Sequence, residues 1–449
     1  MRLKKDRQNE RLNSEYKQRK KQVSARISAA RATYFKDQVK KSKSSKETWR
    51  IMNKMVPSRR NVKVEFDNPE EKAKQFNNFF ANVGKNTYKK TQEILGIHNE
   101  RDQQLTIRQP TIIAADNHNI PLFRPQPVAV EKVIKTINSL SNSNAFGIDG
   151  ISTRFLKDSL FVIALYITVI INTSIVTGKY PSIWKHPLVD PFHKNGDKDD
   201  PSNFRPVSIL PVLSKVIEKI VGEQLMEHLE NNKLLSTTQH GFRKGLSTET
   251  ALMKLTDEIY KNIDDKKISL LILCDLSKAF DSVNHMELLS TFNELYIDIF
   301  WFDDYLQDRV QAVRLGEVKS SFEKVEFGVP QGSVLGPVLF LIYINDIVKC
   351  INDCFLIQYA DDSQVLLSDS VENLETLKER AELVLLKIKE YFLRKGLLMN
   401  ASKTQCMFIG TSQYLNMIPN NIKIKCGNEE IISSNQLKNP GIYSTWRNI

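Results

Sequence analysis

Two acidic sites each end an apolar run that reads as a buried strand. The first is Leu270-Leu271-Ile272-Leu273-Cys274-Asp275, which continues through Leu276-Ser277-Lys278-Ala279-Phe280 to Asp281. The second is Phe355-Leu356-Ile357-Gln358-Tyr359-Ala360-Asp361-Asp362-Ser363. Carboxylates held side by side raise one another's pKa unless a cation lies between them. Asp275 with the Asp361–Asp362 pair offers the hard oxygen ligands that Mg²⁺ prefers. Two such ions could activate an attacking hydroxyl and stabilise a leaving pyrophosphate in an in-line displacement. The plainer reading is a capped strand end and a hairpin turn, a geometry that Asp tolerates.

Positioning these side chains takes strands that end at one place, with helices behind them. The segment Cys354–Leu367 reads as two strands around the acidic turn, Glu372–Arg394 as a periodic helix, and Ile422–Cys426 as a further strand. This alternation predicts an α+β (mixed α/β) domain with a largely antiparallel sheet. Residues 59–127 predict a helical piece followed by an irregular, proline-rich linker. With 449 residues, 41% of them hydrophobic, the chain can bury a sizeable core divided among two or three subdomains. Its five cysteines form no CxxC pair, and its seven histidines show no HExxH or CCHC spacing. This excludes a disulfide framework and a zinc knuckle. The longest apolar run, Leu160–Ile171, is 12 residues, too short to span a bilayer, and the start lacks a signal-peptide core. A soluble intracellular protein without a membrane partner is the expectation.

The net charge of +12 sits at one end. Residues 1–60 hold 20 Lys/Arg against 5 Asp/Glu, whereas the rest holds 44 against 47. Nothing before Pro57 breaks a helix, and Tyr16, Val23, Ile27, Ala30 and Tyr34 make a narrow apolar stripe on it. Such a rod can bind phosphates by counterion release, or pack its stripe on a neighbouring domain. Lys4-Lys5 and Arg19-Lys20-Lys21 could serve nuclear import, so residence in nucleus, cytoplasm or both stays open.

Seven ordered blocks, from about residue 128 to 413, resemble the reverse transcriptase domain of non-LTR (LINE-like, jockey-type) retrotransposons. They begin with Asn144-Ala145-Phe146-Gly147-Ile148-Asp149-Gly150-Ile151 and with Trp184–Ile220, the latter holding Lys194-Asn195-Gly196 and Asn203-Phe204-Arg205-Pro206-Val207-Ser208. Gln239-His240-Gly241-Phe242-Arg243-Lys244-Gly245 follows, with Ser247-Thr248. Asp275–Asp281 resembles motif A, Gly328–Pro337 motif B, Tyr359–Asp362 motif C, and Gly396-Leu397 through Asn400 to Lys403-Thr404 motif D. The resemblance implies a right-hand polymerase with fingers and palm, the palm an antiparallel sheet backed by helices. Its reaction would be RNA-directed DNA synthesis from a primer 3′-end, with two Mg²⁺ ions (Mn²⁺ as substitute), an RNA template, a DNA primer and dNTPs.

By the same resemblance, Asp275 and Asp361 would be the main metal ligands and Asp362 would support them. Phe280 would lie beneath the incoming sugar, where a ring clashes with a 2′-hydroxyl; the alternative is a core phenylalanine. Arg205 and Lys194 would grip the triphosphate, Arg as a planar fork and Lys as a point charge. Gln331, in a turn flanked by Gly328 and Gly332, would contact the nucleotide sugar or the templating base. Lys403 would supply a proton to the leaving pyrophosphate, with a solvated surface lysine as its alternative.

The implied organisation is a basic helical segment 1–60, a linker 61–127, fingers and palm over 128–413, and a remnant 414–449 leading to a largely missing thumb. Fingers would be residues 128–268 and 286–325, palm 269–285 and 326–413. Residues 1–60, including Glu47-Thr48-Trp49-Arg50, resemble only the linker after the family's endonuclease, so nicking is expected in trans. Leu437-Lys438-Asn439-Pro440-Gly441-Ile442-Tyr443 departs from the family's pattern, since Pro440 removes a ladder donor. A truncated copy is the expectation. Two rivals remain: a non-catalytic nucleic-acid-binding remnant, and a cellular or intron-derived reverse transcriptase with a maturase role.

Overall fold

The computed structural model describes residues 10–42, 66–96, 120–143, 145–194, 196–419 and 422–434. Lys4-Lys5, Glu47–Arg50, Asn144, Asn195 and Leu437–Tyr443 lie outside them. The chain divides into two compact units, residues 1–65 and 66–449. In the first, a single 32-residue helix, Glu10–Lys41, is described, and the stripe residues Tyr16, Val23 and Tyr34 are exposed along it.

The second unit is built on two larger sheets, with two strand pairs beside them. Its strands are β1 (Leu188–His193), β2 (Phe204–Ile209), β3 (Ile268–Cys274), β4 (Leu276–Ser277), β5 (Val310–Leu315), β6 (Val318–Lys319), β7 (Glu323–Lys324), β8 (Phe355–Tyr359), β9 (Asp362–Asp369), β10 (Leu398–Met399), β11 (Gln405–Ile409), β12 (Lys423–Cys426) and β13 (Glu429–Ile432). One sheet runs β11-β3-β9-β8 with every pair antiparallel. The other runs β2-β1-β5-β6, with β7 also on β5; its β1–β5 pair is parallel. The two-stranded pairs are β4–β10 and β12–β13.

The first sheet is covered on both faces, which is why β3 reads as a continuous apolar run rather than an alternating one. Ile268, Leu270, Ile272 and Cys274 enter the main core beside Leu377, Ala381 and Leu385 of the helix Leu374–Arg394. Leu271 faces the other way and joins Leu366, Met407 and Ile409 under Leu255 and Ile259 of the helix Thr248–Asp264.

The segment predicted to hold a helical piece and a linker contains a 26-residue helix, Pro69–Ile94, started by Asn68, whose side chain accepts from the Glu71 N–H, and by Pro69 at its first turn. The helix is no free connector. Phe76 packs edge-on against Phe204 of β2, and a Cβ on Gly84 would lie 2.3 Å from the Asp281 carbonyl oxygen.

The expectation for Leu160–Ile171 needs correction. The helix there continues through Asn172, Thr173 and Ser174 to Thr177, where Gly178 ends it in the left-handed conformation (φ +67). At 18 residues and a mean hydropathy of 2.2, it is long and apolar enough to cross a membrane by length and composition. Its Ala164, Ile167, Ile171 and Ile175 are built into the core of the unit.

Candidate active site

Strand register brings the two acidic sites together. Cys274 pairs with Ser363 and Tyr359 with Asp362, so Asp275 leaves β3 directly beside the β8–β9 turn. Motif D closes over the same point: β10 pairs with β4, and the Asn400 N–H donates to the Asp275 carbonyl oxygen at 2.8 Å.

The turn itself is clamped. Ala360 holds φ +57, a conformation that a side chain disfavours by about 1–2 kcal/mol. Gln239 maintains it from 121 residues away. Its Oε1 accepts from the N–H groups of Gly241 (2.7 Å) and Ala360 (3.0 Å), and its Nε2 donates to the Ala360 carbonyl oxygen (3.2 Å). Gly241 must be glycine for this approach, because a Cβ there would meet the Ala360 nitrogen at 2.3 Å.

The three carboxylates are electrostatically coupled. Burial raises Asp275 above the usual carboxylate range, with Asp361 adding to the shift and Lys403 opposing it. Burial likewise raises Asp361, while Arg205 and Lys194 pull it down. Asp362 is pushed up to about 6 by burial and by the charges of Asp361 and Asp275. Asp275 Oδ2 is buried without a hydrogen-bond partner; Lys403 Nζ, 3.9 Å away, is too distant to donate to it. Among the described residues no three His, Cys, Asp or Glu side chains are already gathered at metal-ligand spacing. The orphaned oxygen and the mutual repulsion nevertheless suit a hard divalent cation, which would draw the three together.

Three cations, Lys194, Arg205 and Lys403, face this acidic group, and Lys278 stands beside them against Asp281. Burial, then Lys278, Arg205 and Lys403, lower Lys194 below the usual lysine range. Arg205 is exposed on β2 opposite Phe192. Lys278 is a site residue that sequence reasoning passed over. Its left-handed backbone (φ +52) directs Nζ to the Ser202 (3.1 Å) and Phe204 (3.4 Å) carbonyl oxygens, above the Phe79 ring. It therefore ties the start of β2 to motif A.

Phe280 is half-buried and stacks on Phe340 at 4.7 Å. Gln331 donates from Nε2 to Asp281 Oδ1 at 2.7 Å, and its carbonyl oxygen accepts from the Ser208 N–H. A carboxylate only accepts, so Asp281 fixes which way the Gln331 amide points. Asp281, also passed over, is raised by burial and lowered by Gln331, Lys278, Lys194 and Arg205. Behind the turn, Glu218 is fully buried and accepts from the Val334 N–H (2.6 Å) and Ser214 Oγ (2.9 Å). It caps the helix Leu335–Tyr343, which begins within motif B. The signal for Lys278 and Asp281 was present, since both are charged residues inside the motif A block. Glu218 and Gln239 act over distances that spacing cannot reveal.

Residues 193–441, more than half the chain, match the reverse transcriptase (RNA-dependent DNA polymerase) family. The chain belongs to that family. The match contains Lys194, Arg205 and all of motifs A to D. A probable RNA-directed DNA polymerase from transposon BS of Drosophila melanogaster is 32% identical over 259 residues, covering 55% of this chain and 28% of the relative. The corresponding protein of the X-element is 31% identical, covering 58% and 29%. The RNA-directed DNA polymerase from mobile element jockey is 28% identical, covering 53% and 27%. The chain thus spans under a third of the length of these curated relatives. Their resemblance to this reverse transcriptase domain is of the non-LTR kind that the sequence motifs suggested.

Proposed function

We propose that the chain is the polymerase core of a non-LTR retrotransposon, an RNA-directed DNA polymerase that extends a primer 3′-end with dNTPs. The observation that carries this reading is the meeting of Asp275, Asp361 and Asp362 at one sheet end, opposite Lys194, Arg205 and Lys403. The sheet β11-β3-β9-β8 is the palm, and β2-β1-β5-β6 with its helices belongs to the fingers. Asp275, Asp361 and Asp362 would hold the two divalent ions, which when bound supply Lewis-acid charge to the attacking hydroxyl and the leaving phosphate.

The chain's own residues do the rest. Arg205 offers two parallel donors to phosphate oxygens, with Lys194 and Lys278 as point charges beside it. Phe280, braced by Phe340, closes the floor against a 2′-hydroxyl. Gln331, oriented by Asp281, presents its amide oxygen to the nucleotide. Lys403, exposed and 3.9 Å from Asp275, is positioned to release a proton toward the departing pyrophosphate.

Primer extension on an RNA template with a DNA primer, Mg²⁺ and four dNTPs tests the reading. The parent should extend, and the Asp361→Asn/Asp362→Asn variant should lose at least ~100-fold in rate. A parent that is inactive yet binds primer–template as tightly as the variant would instead be a nucleic-acid-binding remnant.

A further inference from the structure

The fold holds Phe242 against its own backbone preference. The residue is left-handed (φ +55), a conformation that bulky side chains rarely adopt. Lys233, Lys266 and Tyr296 share that region, but each stands just past a helix end, where it is a common cap. Phe242 ends no helix. Its ring is 48% exposed, belongs to neither hydrophobic core and makes no ring contact among the described residues. Packing of the ring therefore does not explain the strain. The surroundings keep the strain in place, which is how such conformations persist. The segment before it adds an edge to β8: the Gln358 N–H donates to the Thr238 carbonyl oxygen (2.9 Å), and the His240 N–H to the Gln358 carbonyl oxygen (2.8 Å). Arg243, just after it, is fixed by Glu230 through Nε and Nη2 and by the Ser236 and Gln239 carbonyl oxygens through Nη1. With Gly241 packed on Ala360, Phe242 stands beside the turn that carries Asp361, on the sheet edge opposite motif D. Lys244, two residues on, is exposed.

We propose that Phe242 packs its ring on a sugar of the primer–template duplex next to the primer 3′-end, with Lys244 beside it for the phosphates. The inference rests on the polymerase reading. A 3′-end that reacts at Asp275 and Asp361 brings its neighbouring nucleotides alongside this ring. Those nucleotides are paired, so their base faces are hidden in the stack. What an A-form-like hybrid shows instead is a wide, shallow minor groove lined by sugars. A flat apolar ring suits a sugar face and reads no sequence, and a cation beside it sets the register through phosphate. The rigid turn keeps the ring presented before the duplex arrives, so little side-chain freedom is lost on binding.

The test is the affinity of the full chain for a primer–template of DNA on RNA, measured beside its thermal melting. Asn accepts the left-handed region, so Phe242→Asn should melt at or above the parent's temperature while binding about tenfold more weakly. Phe242→Tyr should bind as the parent does. KM for dNTPs at saturating primer–template should be the same in all three. A lowered melting temperature in Phe242→Asn would make the ring a structural one and overturn the proposal. So would a loss of affinity seen only with an unpaired template overhang and not with a blunt duplex, since the ring would then stack on an unpaired base. A parent that binds no primer–template overturns the polymerase reading as well. A parent that binds, with Phe242→Asn binding equally, overturns this inference alone.

Discussion

Asp362 retains its proton up to about pH 6 because burial, Asp361 and Asp275 all disfavour its charge. A carboxyl whose folded pKa lies above its unfolded value adds stability below the unfolded pKa, and that stability is lost as pH rises through about 6. At neutral pH the cation-free protein therefore carries a penalty that Asp362→Asn should relieve. The expected gain is roughly 1–2 kcal/mol after allowance for solvent screening. It should vanish near pH 4, where the folded protein already holds the proton. Urea unfolding in chelator at the two pH values measures this; an equal difference at both would mean the carboxylates do not repel. Lys278 makes a second residue-scale test. Lys278→Met keeps the stem over Phe79 and removes the charge, so KM for dNTPs should rise about tenfold with kcat little changed. An unchanged KM would remove Lys278 from the triphosphate site.

The β8–β9 turn depends on an element far from it in sequence. Gln239→Leu would strip partners from the N–H groups of Gly241 and Ala360 and from the Ala360 carbonyl oxygen, all tucked against the sheet. Unpaired buried backbone groups of this kind should lower stability by about 2–4 kcal/mol. Incorporation should fall through kcat, because the turn no longer holds its φ; a variant with native melting and native kcat would show that the clasp is dispensable. This clasp also marks where the sequence stopped being legible. β3, β8, β9 and the helix Leu374–Arg394 could be read because an apolar run or a 3.6-residue period is a local property. So could the aspartates, as charges at the ends of such runs. The length of Leu160–Thr177 could not, since Asn172, Thr173 and Ser174 break the apolar run without breaking the helix. Nor could the bonds of Gln239 and Glu218 to backbone more than 100 residues away, which exist only once the strands have paired.

At the scale of the whole molecule, charge is divided between the two compact units. Residues 1–65 hold 21 Lys/Arg against 6 Asp/Glu, and residues 66–449 hold 43 against 46. The described helix of the first unit, Glu10–Lys41, is about 48 Å long at 1.5 Å per residue, enough to follow a duplex backbone for more than a turn. Each phosphate it neutralises should add about 0.9 to the slope of log affinity against log salt. The second unit, nearly neutral overall, sets Lys194, Arg205 and Lys403 against Asp275 and Asp361. Binding of the duplex and binding of the nucleotide should therefore separate. Removing residues 1–65 should weaken primer–template affinity and flatten its salt dependence by several counterions, while KM for dNTPs stays put. Affinity titrations between about 50 and 200 mM salt, the range over which such contacts change binding most visibly, measure the slope. An identical slope with and without residues 1–65 would mean that the basic helix does not touch the nucleic acid, and that the phosphate contacts lie on the second unit alone.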